Sequence, residues 1–177
     1  MLLVFAMLLC AAALEDDPNF LAPRDVDLLL TDIKDRTLRE DVARILNTTY
    51  LSETAVPAAW PLAGIVFGPH SRAVIVAPVQ SGRDTSLPRI NVFFVVDTGA
   101  PYTYFSHSAF SALHVPVPSP NERARLMVNG VTVRAYRSER RHADVSVLGV
   151  DFFEAADARL TVDYYNATVS LTTSAPP

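Results

Sequence analysis

The feature that most restricts the fold of this chain is a series of short apolar runs between residue 61 and the C-terminus. Runs of about four to eight residues rich in β-branched and aromatic side chains, bounded by Pro, Gly and polar residues, are typical of β-strands. Asn129-Gly130, between two such runs, is a strong signal for a tight hairpin. We therefore expect a compact, mostly antiparallel β domain with one short helix at residues 151–158. The runs are GIVFG, RAVIVAPV, INVFFVV, RLMV, VTVRAY, VSVLGV and RLTVDYY.

Length and charge bound the class of protein. The chain has 177 residues, of which 50% are apolar and 19% charged, a composition typical of one globular domain with a buried core. The formal net charge of −4 argues against a nucleic-acid-binding surface. The one basic cluster in the sequence, at residues 137–142, is interrupted by Glu139, and we interpret it as a solvated hairpin turn.

The N-terminal residues predict a signal peptide. The apolar run that begins at Met1 is short for a membrane-spanning helix and ends in small residues before an acidic stretch. Ala11 and Ala13 stand where a signal peptidase requires small residues, so we expect removal of residues 1–13 and a secreted or lumenal protein of the secretory pathway. The alternative is a buried strand or helix. Membrane contact is expected only if this segment is retained as an anchor.

Cysteine and histidine usage excludes several kinds of site. Cys10 is the only cysteine and lies in the predicted signal peptide, so the mature chain has no disulfide, thiol nucleophile or thiolate metal site. Two sequons, which begin at Asn47 and Asn166, are candidate N-glycosylation sites. The histidines lack metal-ligand spacing, so we interpret them as ordinary surface or core residues and predict no metal site. They are His70, His107, His114 and His142.

Residues 14–60 differ in character from the β region. Apolar residues at helical spacing between residues 25 and 47 predict helices, and Thr37-Leu38-Arg39-Glu40 has the form of a capping box. We therefore expect two short helices that meet near Thr37. The Pro- and Ala-rich residues 50–64 are interpreted as a linker. A helical segment with a solvated face is the first interpretation, and a pro-segment or docking arm is the alternative.

The residues around Asp97 carry the strongest chemical signal. Asp97 follows five apolar residues, and a carboxylate at the end of a buried strand is costly unless another group pairs with it or uses it. Gly99 permits the turn that must follow, and Thr98 offers a hydroxyl where the backbone loses its ladder partners. The same local pattern fits a plain strand-ending Asx turn, so the triplet alone leaves both interpretations open.

A second block, VSVLGVDFF, lies about fifty residues downstream, where Gly149 would let one backbone pass close to another. A third block, LTVDY, follows the predicted helix. In this order the chain resembles the retropepsin family, the single-lobed, homodimeric aspartic peptidases of retroviruses and their cellular relatives. The resemblance covers residues 61–175. It is carried by Asp97-Thr98-Gly99-Ala100, by Val147-Leu148-Gly149 with Val150-Asp151-Phe152-Phe153, and by Leu160-Thr161-Val162-Asp163-Tyr164.

The resemblance implies a closed β-barrel, half of an acid-protease lobe pair, in residues 61–177. Water attacks an amide readily when one carboxylate removes its proton while a second carboxyl donates one, and two close carboxyls can share that proton. Since the chain has one such Asp, a two-fold dimer would supply the second Asp97. Thr98 would bond to the partner loop, and Gly99, Ala100, Leu148 and Gly149 would support the loops. The implied substrate is a peptide or protein, and no cofactor is implied.

The sequence leaves two features of the site open. Tyr102 and Tyr104 are candidates to line the substrate cleft, although core packing is the favoured alternative. Retropepsins close over substrate with a glycine-rich hairpin, the flap, yet Gly130 is the only glycine between Ala100 and Leu148. Only residues 114–124, with three prolines, remain where the flap should be, so we predict a missing or much-shortened flap.

Three functions are therefore compatible with the sequence. The first is a homodimeric aspartic endopeptidase, with an acidic to mildly acidic pH profile because one carboxyl of the dyad must be ionised and the other protonated. The second is a catalytically inactive dimeric binding or assembly module on the same fold, suggested by the absent flap. The third is a monomeric secreted β domain in which Asp97 is a turn residue.

Overall fold

The computed structural model describes residues 33–174, and nine strands form its main body. The signal-peptide prediction for residues 1–13, with Cys10, lies outside the described residues. The first of the two predicted N-terminal helices also lies outside the described residues as far as residue 32. The strands are β1 (Leu62–Phe67), β2 (Arg72–Ser81), β3 (Ile90–Val96), β4 (Tyr104–Phe105), β5 (Ala124–Val128), β6 (Val131–Arg137), β7 (Ser146–Leu148), β8 (Ala158–Asp163) and β9 (Thr168–Thr173).

Six of these strands close into a barrel. The sheet runs in the order β3-β7-β4-β6-β5-β2-β1-β9-β8, and an additional pairing of β3 with β2 closes the ring. β1, β9 and β8 extend from β2 as a three-stranded wing. The pairs β3–β7 and β4–β6 are parallel, and the other pairs are antiparallel. The predicted mostly β fold with a closed barrel is confirmed.

The helical elements are short. Helix α1 covers residues 35–46, with α geometry at Asp35–Thr37, π geometry at Leu38–Val42 and α geometry again at Ala43–Leu46. Helix α2 is His107–Ala112, a 3₁₀ turn is Arg140–His142, and helix α3 is Val150–Ala156. α3 confirms the short helix predicted at residues 151–158. Within residues 33–174, no helix has the length and the apolar character to cross a bilayer.

Local signals located one hairpin correctly and one helix start wrongly. Asn129 and Gly130 join β5 to β6 with positive φ at both residues (46° and 88°), as the predicted tight turn requires. Thr37, by contrast, has helical dihedrals inside a helix that begins at Asp35, and its Oγ1 accepts the Lys34 N–H at 3.4 Å. The capping box predicted to start at Thr37 is therefore wrong, whereas the meeting of two helices stays a prediction because the first helix lies outside the described residues. Leu38 and Val42 lie on this continuous helix, and both are fully buried.

β3 is buried on both faces, which explains its uninterrupted apolar sequence. Val92 and Phe94 point into the main core inside the barrel. Phe93 and Val95 belong to a second buried cluster, outside the barrel, together with four residues of the N-terminal segment. A strand covered on both sides reads as a continuous apolar run rather than an alternating one. The four N-terminal residues of the cluster are Ile33, Leu38, Val42 and Tyr50.

Of the residues interpreted as a linker, residues 62–64 belong to β1, whereas residues 50–61 are irregular and are bonded along the barrel. The Leu51 N–H donates to the Asn91 carbonyl and the Asn91 N–H donates to the Ser52 carbonyl, both at 2.8 Å. Further along, the Ala58 N–H donates to Asn129 Oδ1 at 2.8 Å, and Asn129 Nδ2 donates to the Ala58 carbonyl at 3.1 Å. The segment is therefore attached at both ends of its path.

Candidate functional site

Asp97 begins a tight loop directly after β3. The Asp97 N–H donates to the Leu148 carbonyl at 3.1 Å, which continues the parallel pairing of β3 with β7. The Gly99 N–H donates to Asp97 Oδ1 at 2.8 Å, and the Ala100 N–H donates to the Asp97 carbonyl at 3.1 Å. Within residues 33–174, Asp97 Oδ2 has no hydrogen-bond partner. The half-buried carboxylate thus has one oxygen bound to its own loop and one oxygen available.

β7 supports this loop from beneath. It lies between β3, with Val96 opposite Leu148, and β4, with Tyr104 opposite Val147, so the chain from β3 to β4 crosses the end of β7. Gly149 is the residue at the crossing. A Cβ added there would lie 2.2 Å from the Tyr102 carbonyl oxygen, which no side chain could tolerate without a shift of the backbone. This is the close backbone approach for which the sequence selects glycine.

A buried hydroxyl joins the loop to helix α3. Thr103, which is fully buried, donates from Oγ1 to Asp151 Oδ1 at 2.7 Å and accepts the Gly149 N–H at 3.2 Å. The Val150 N–H donates to the Ala100 carbonyl at 2.9 Å. The loop is therefore fixed to β7 and α3 by both backbone and side-chain bonds. Thr103 was not among the site residues predicted from the sequence. The available signal was its position directly before the aromatic pair Tyr104-Phe105, because a hydroxyl buried with such a pair needs a hydrogen-bond partner.

A small cavity of about 200 Å³ lies beside Asp97. Its lining comes from the Asp97 loop, from the turn between β1 and β2, and from β8 and the residue after it. β8 is the last strand of the wing, and its outer edge has no partner within the described residues. The following turn carries Tyr164 and Tyr165, which are 68% and 96% exposed. The lining residues from β8 and its turn are Leu160, Val162 and Tyr164.

The other predicted site residues divide between surface and interior. Thr98 and Gly99 are exposed, whereas Ala100, Leu148 and Gly149 are buried. The structure thus brings Asp97, Thr98, Gly99 and Ala100 together with Leu148 and Gly149 in one place. Their roles in catalysis stay predictions.

The two predicted cleft tyrosines belong to an aromatic cluster. Tyr102 is half-buried and Tyr104 is buried, and neither lines the cavity at Asp97. Both pack near Tyr136, with ring centroids 5.4 Å and 5.9 Å away. Burial raises the pKa of the Tyr104 phenol. The Arg123 guanidinium lies 4.3 Å from the Tyr102 ring and 4.6 Å from the Tyr136 ring, a contact that nothing in the sequence pattern indicated. A role in the cleft stays a prediction for Tyr102 and Tyr104.

The two sequons occupy exposed turns. Asn47 follows α1 in a left-handed conformation, with φ of 48°, and its side chain is exposed. Asn166 lies in the turn between β8 and β9, and its Nδ2 donates to Asp163 Oδ2 at 2.6 Å. Glycosylation of either asparagine stays a prediction.

Residues with metal-ligating side chains do not gather at this site. Among residues 33–174, no group of three or more His, Cys, Asp or Glu side chains could hold a metal ion. His142 is buried and edge-on to Tyr104, with ring centroids 5.6 Å apart. His70 lies in the lining of the cavity next to Asp97.

No protein-family model matches the chain. No curated protein matches it either. Among solved structures, the chain is similar to a retropepsin-like aspartic protease from Rickettsia conorii, with 14% sequence identity and a TM-score of 0.41. The matched region covers 70% of this chain and 99% of that protein. Membership of the retropepsin family stays a prediction that rests on the residues quoted above.

Proposed function

We propose that this protein is a homodimeric, retropepsin-like aspartic endopeptidase in which Asp97 of each subunit contributes one carboxyl to a catalytic dyad. The observation that carries the proposal is the form of the Asp97 loop. Its carboxylate is half-buried, with Oδ2 unbonded among the described residues, and the loop is attached to β7 and α3 by Leu148, Gly149 and Asp151. Preorganised groups of this kind favour catalysis because little rearrangement is needed in the transition state.

The chemistry requires two such loops. One carboxylate removes a proton from water while the second carboxyl donates a proton to the scissile carbonyl oxygen. A single chain supplies one Asp97, and a two-fold axis near it would supply the other. Thr98 is exposed beside Asp97, which agrees with the bond to the partner loop that the family resemblance implies. Because the dyad must hold one proton, we expect activity at acidic to mildly acidic pH.

The outer edge of β8, which has no partner strand among residues 33–174, supports a second copy at this place. An exposed strand edge is a ready site for pairing with another chain. Leu160 and Val162 of β8 line the same cavity as Asp97, so a copy bound along this edge would lie next to the carboxylate. Tyr164 and Tyr165 expose large aromatic side chains at the end of the strand, and aromatic residues are enriched in protein interfaces.

The segment between α2 and β5 supports the predicted loss of the flap. Residues 114–123 contain no strand. They hold three prolines, whose missing N–H groups prevent regular pairing. A cleft without a lid excludes water less well and holds substrate less tightly. We therefore expect slower turnover than a lidded enzyme would achieve, with the dyad retained.

The decisive experiment is cleavage of an unfolded protein substrate between pH 3 and 7. The wild type and Asp144→Asn, an exposed carboxylate changed in the same way elsewhere on the surface, should cleave it. Asp97→Asn and Asp97→Ala should not. Equal cleavage by all four proteins would remove the proposal.

The second candidate is a dimeric binding or assembly module without catalysis. The observation that favours it is the absence of a hairpin from residues 114–123. It predicts a folded dimer that cleaves nothing at any pH and behaves identically with Asp97→Asn. Sedimentation that finds only monomer at high protein concentration would instead favour a β domain in which Asp97 serves the turn alone.

A further inference from the structure

Three arginines from two separate parts of the sequence meet at the end of the barrel away from Asp97. A groove of about 730 Å³ lies between the loop that joins β2 to β3 and residues 114–125. Arg83 comes from the first part, and Arg123 and Arg125 come from the second. Asp97 follows the C-terminal end of β3 whereas Arg83 precedes its N-terminal end, and seven strand residues span roughly 20 Å. The groove is thus separate from the cavity at Asp97.

These arginines have no carboxylate partner in the part of the chain that the structure describes. The two acidic residues of the groove are occupied by their own loops. Asp84 Oδ1 accepts the Ser86 hydroxyl at 2.6 Å and the Ser86 N–H at 3.0 Å. Glu122 Oε2 accepts the Ser119 N–H at 3.2 Å. Arg83 and Arg125 therefore remain available to an anionic ligand, and Arg123, which contacts the Tyr102 and Tyr136 side chains, pairs with no carboxylate among the described residues.

The register of the β5–β6 hairpin adds a like-charge pair at the same place. Arg125 lies directly opposite Arg134, and both side chains are exposed. Like charges directly opposite each other destabilise an antiparallel pair. The Arg125–Arg134 pair does not help the hairpin to fold, and unfavourable pairs of this kind are found most often at functional surfaces.

Arg123 is held in place before any ligand arrives. Its guanidinium lies over the Tyr102 and Tyr136 rings at 4.3 Å and 4.6 Å. Contacts of this kind stabilise an exposed cation, and they restrict a side chain that is otherwise free to rotate. A preorganised guanidinium loses less entropy when it binds a carboxylate.

We propose that this groove binds an acidic segment of another protein chain. Its volume lies within the usual range of ligand sites, and guanidinium groups bind carboxylates through paired hydrogen bonds. A peptide is favoured over a nucleic acid because the chain as a whole carries a net charge of −4, which opposes binding of a long polyanion. The groove lining does not include Asp97, although Arg123 contacts Tyr102 of the chain between Asp97 and β4, so binding is expected to persist in the inactive Asp97→Asn variant.

The test is fluorescence anisotropy of the purified protein with a fluorescein-labelled hexaglutamate peptide, against a labelled hexaglutamine peptide. Hexaglutamate should bind, hexaglutamine should not, and added salt should weaken the binding. Arg83→Gln, Arg123→Gln and Arg125→Gln should each weaken it roughly two- to fivefold, and the triple variant roughly tenfold or more. Arg36→Gln, which removes the same charge from exposed α1, should leave it unchanged.

Two further variants separate charge from folding. Lysine at positions 83 and 125 keeps the charge but not the paired hydrogen bonds of a guanidinium, so Arg83→Lys and Arg125→Lys should bind hexaglutamate more tightly than the glutamine variants and less tightly than the wild type. The proposal is overturned if the triple variant, with an unchanged melting temperature, binds hexaglutamate as the wild type does, or if hexaglutamine binds equally well. It is also overturned if an oligothymidylate binds more tightly than hexaglutamate and loses its affinity in the same variants.

Discussion

The barrel has one flank that is covered by other residues of the chain and one flank that is exposed. On the covered flank, the outer face of β3, residues 33–58 bury Phe93 and Val95 under Leu38, Val42 and Tyr50. On the open flank, β8 has an unpaired edge within the described residues and ends in the exposed Tyr164 and Tyr165. The Asp97 loop adjoins both, because it continues β3 and shares a cavity with β8.

The difference shows which part of the fold is complete within one chain. On the covered flank, Phe93 and Val95 of β3 are buried by residues of the same chain, and Asn91 exchanges backbone hydrogen bonds with Leu51 and Ser52. The open flank leaves a row of backbone donors and acceptors and two aromatic rings facing solvent. We therefore expect the covered flank to be a fixed part of the domain and the open flank to be a site of association.

The largest effect is expected at the centre of the covered flank. Leu38→Ala should lower the free energy of unfolding by about 2–5 kcal/mol, because a fully buried side chain is removed and a cavity remains. Ile45→Ala, on the same helix with its side chain 52% exposed, should change it by less than about 0.5 kcal/mol. Urea denaturation measures both. Similar small losses for the two variants would mean that α1 does not cover β3 in solution.

The open flank should respond through association. Val162→Lys introduces a charge on the edge strand beside Asp97, and it should weaken dimerisation at least tenfold, or about 1.4 kcal/mol, in addition to any loss of the packing of Val162 against the core. Thr172→Lys, on the β9 strand that is paired on both sides, is the matched control. Sedimentation equilibrium distinguishes them. Equal dimerisation of both variants would exclude the β8 edge as the interface.

A loss of stability smaller than that at Leu38 is expected where the covering segment attaches to the β5–β6 turn. Asn129→Gly keeps the positive φ of the turn but removes both bonds to Ala58, so unfolding free energy should fall by about 1–3 kcal/mol. Asn121→Gly, the same change in an exposed loop, should lower the free energy of unfolding by a few tenths of a kcal/mol at most, about 0.5 kcal/mol. If the two changes prove equivalent, residues 50–58 are a loose linker after all.

The smallest effect concerns pH. Burial raises the pKa of the Tyr50 phenol above its ordinary value, so the folded protein keeps this proton at a pH where the unfolded chain has lost it. Stability from this group is therefore complete below about pH 10 and falls as the pH rises further. Tyr50→Phe should make the loss of melting temperature above pH 10 shallower. An identical alkaline profile would show that Tyr50 is not buried in solution.

Some elements of this protein follow from a few neighbouring residues. Asn129-Gly130 produces its turn because both residues tolerate positive φ, and Gly149 leaves space for a crossing backbone. Helix α2 was not predicted, although the Ser106 hydroxyl accepts the Ala109 N–H at 3.2 Å in an ordinary cap. Its sequence, HSAFSA, is too short to show a period, and so the capping residue was the one available signal.

The sequence by itself determined the β character of residues 61–174, the tight hairpin at Asn129, the helix after Gly149 and the position of Asp97 at a strand end. These depend on side-chain period and backbone preference, which act over a few residues. Only the tertiary structure decided that β2 pairs with β3 to close the barrel and that residues 33–58 cover β3. It also decided that Arg83 meets Arg123 and Arg125 in one groove. Such contacts join residues that are distant in sequence, and they arise from the burial of shared apolar surface, which no short window of residues encodes.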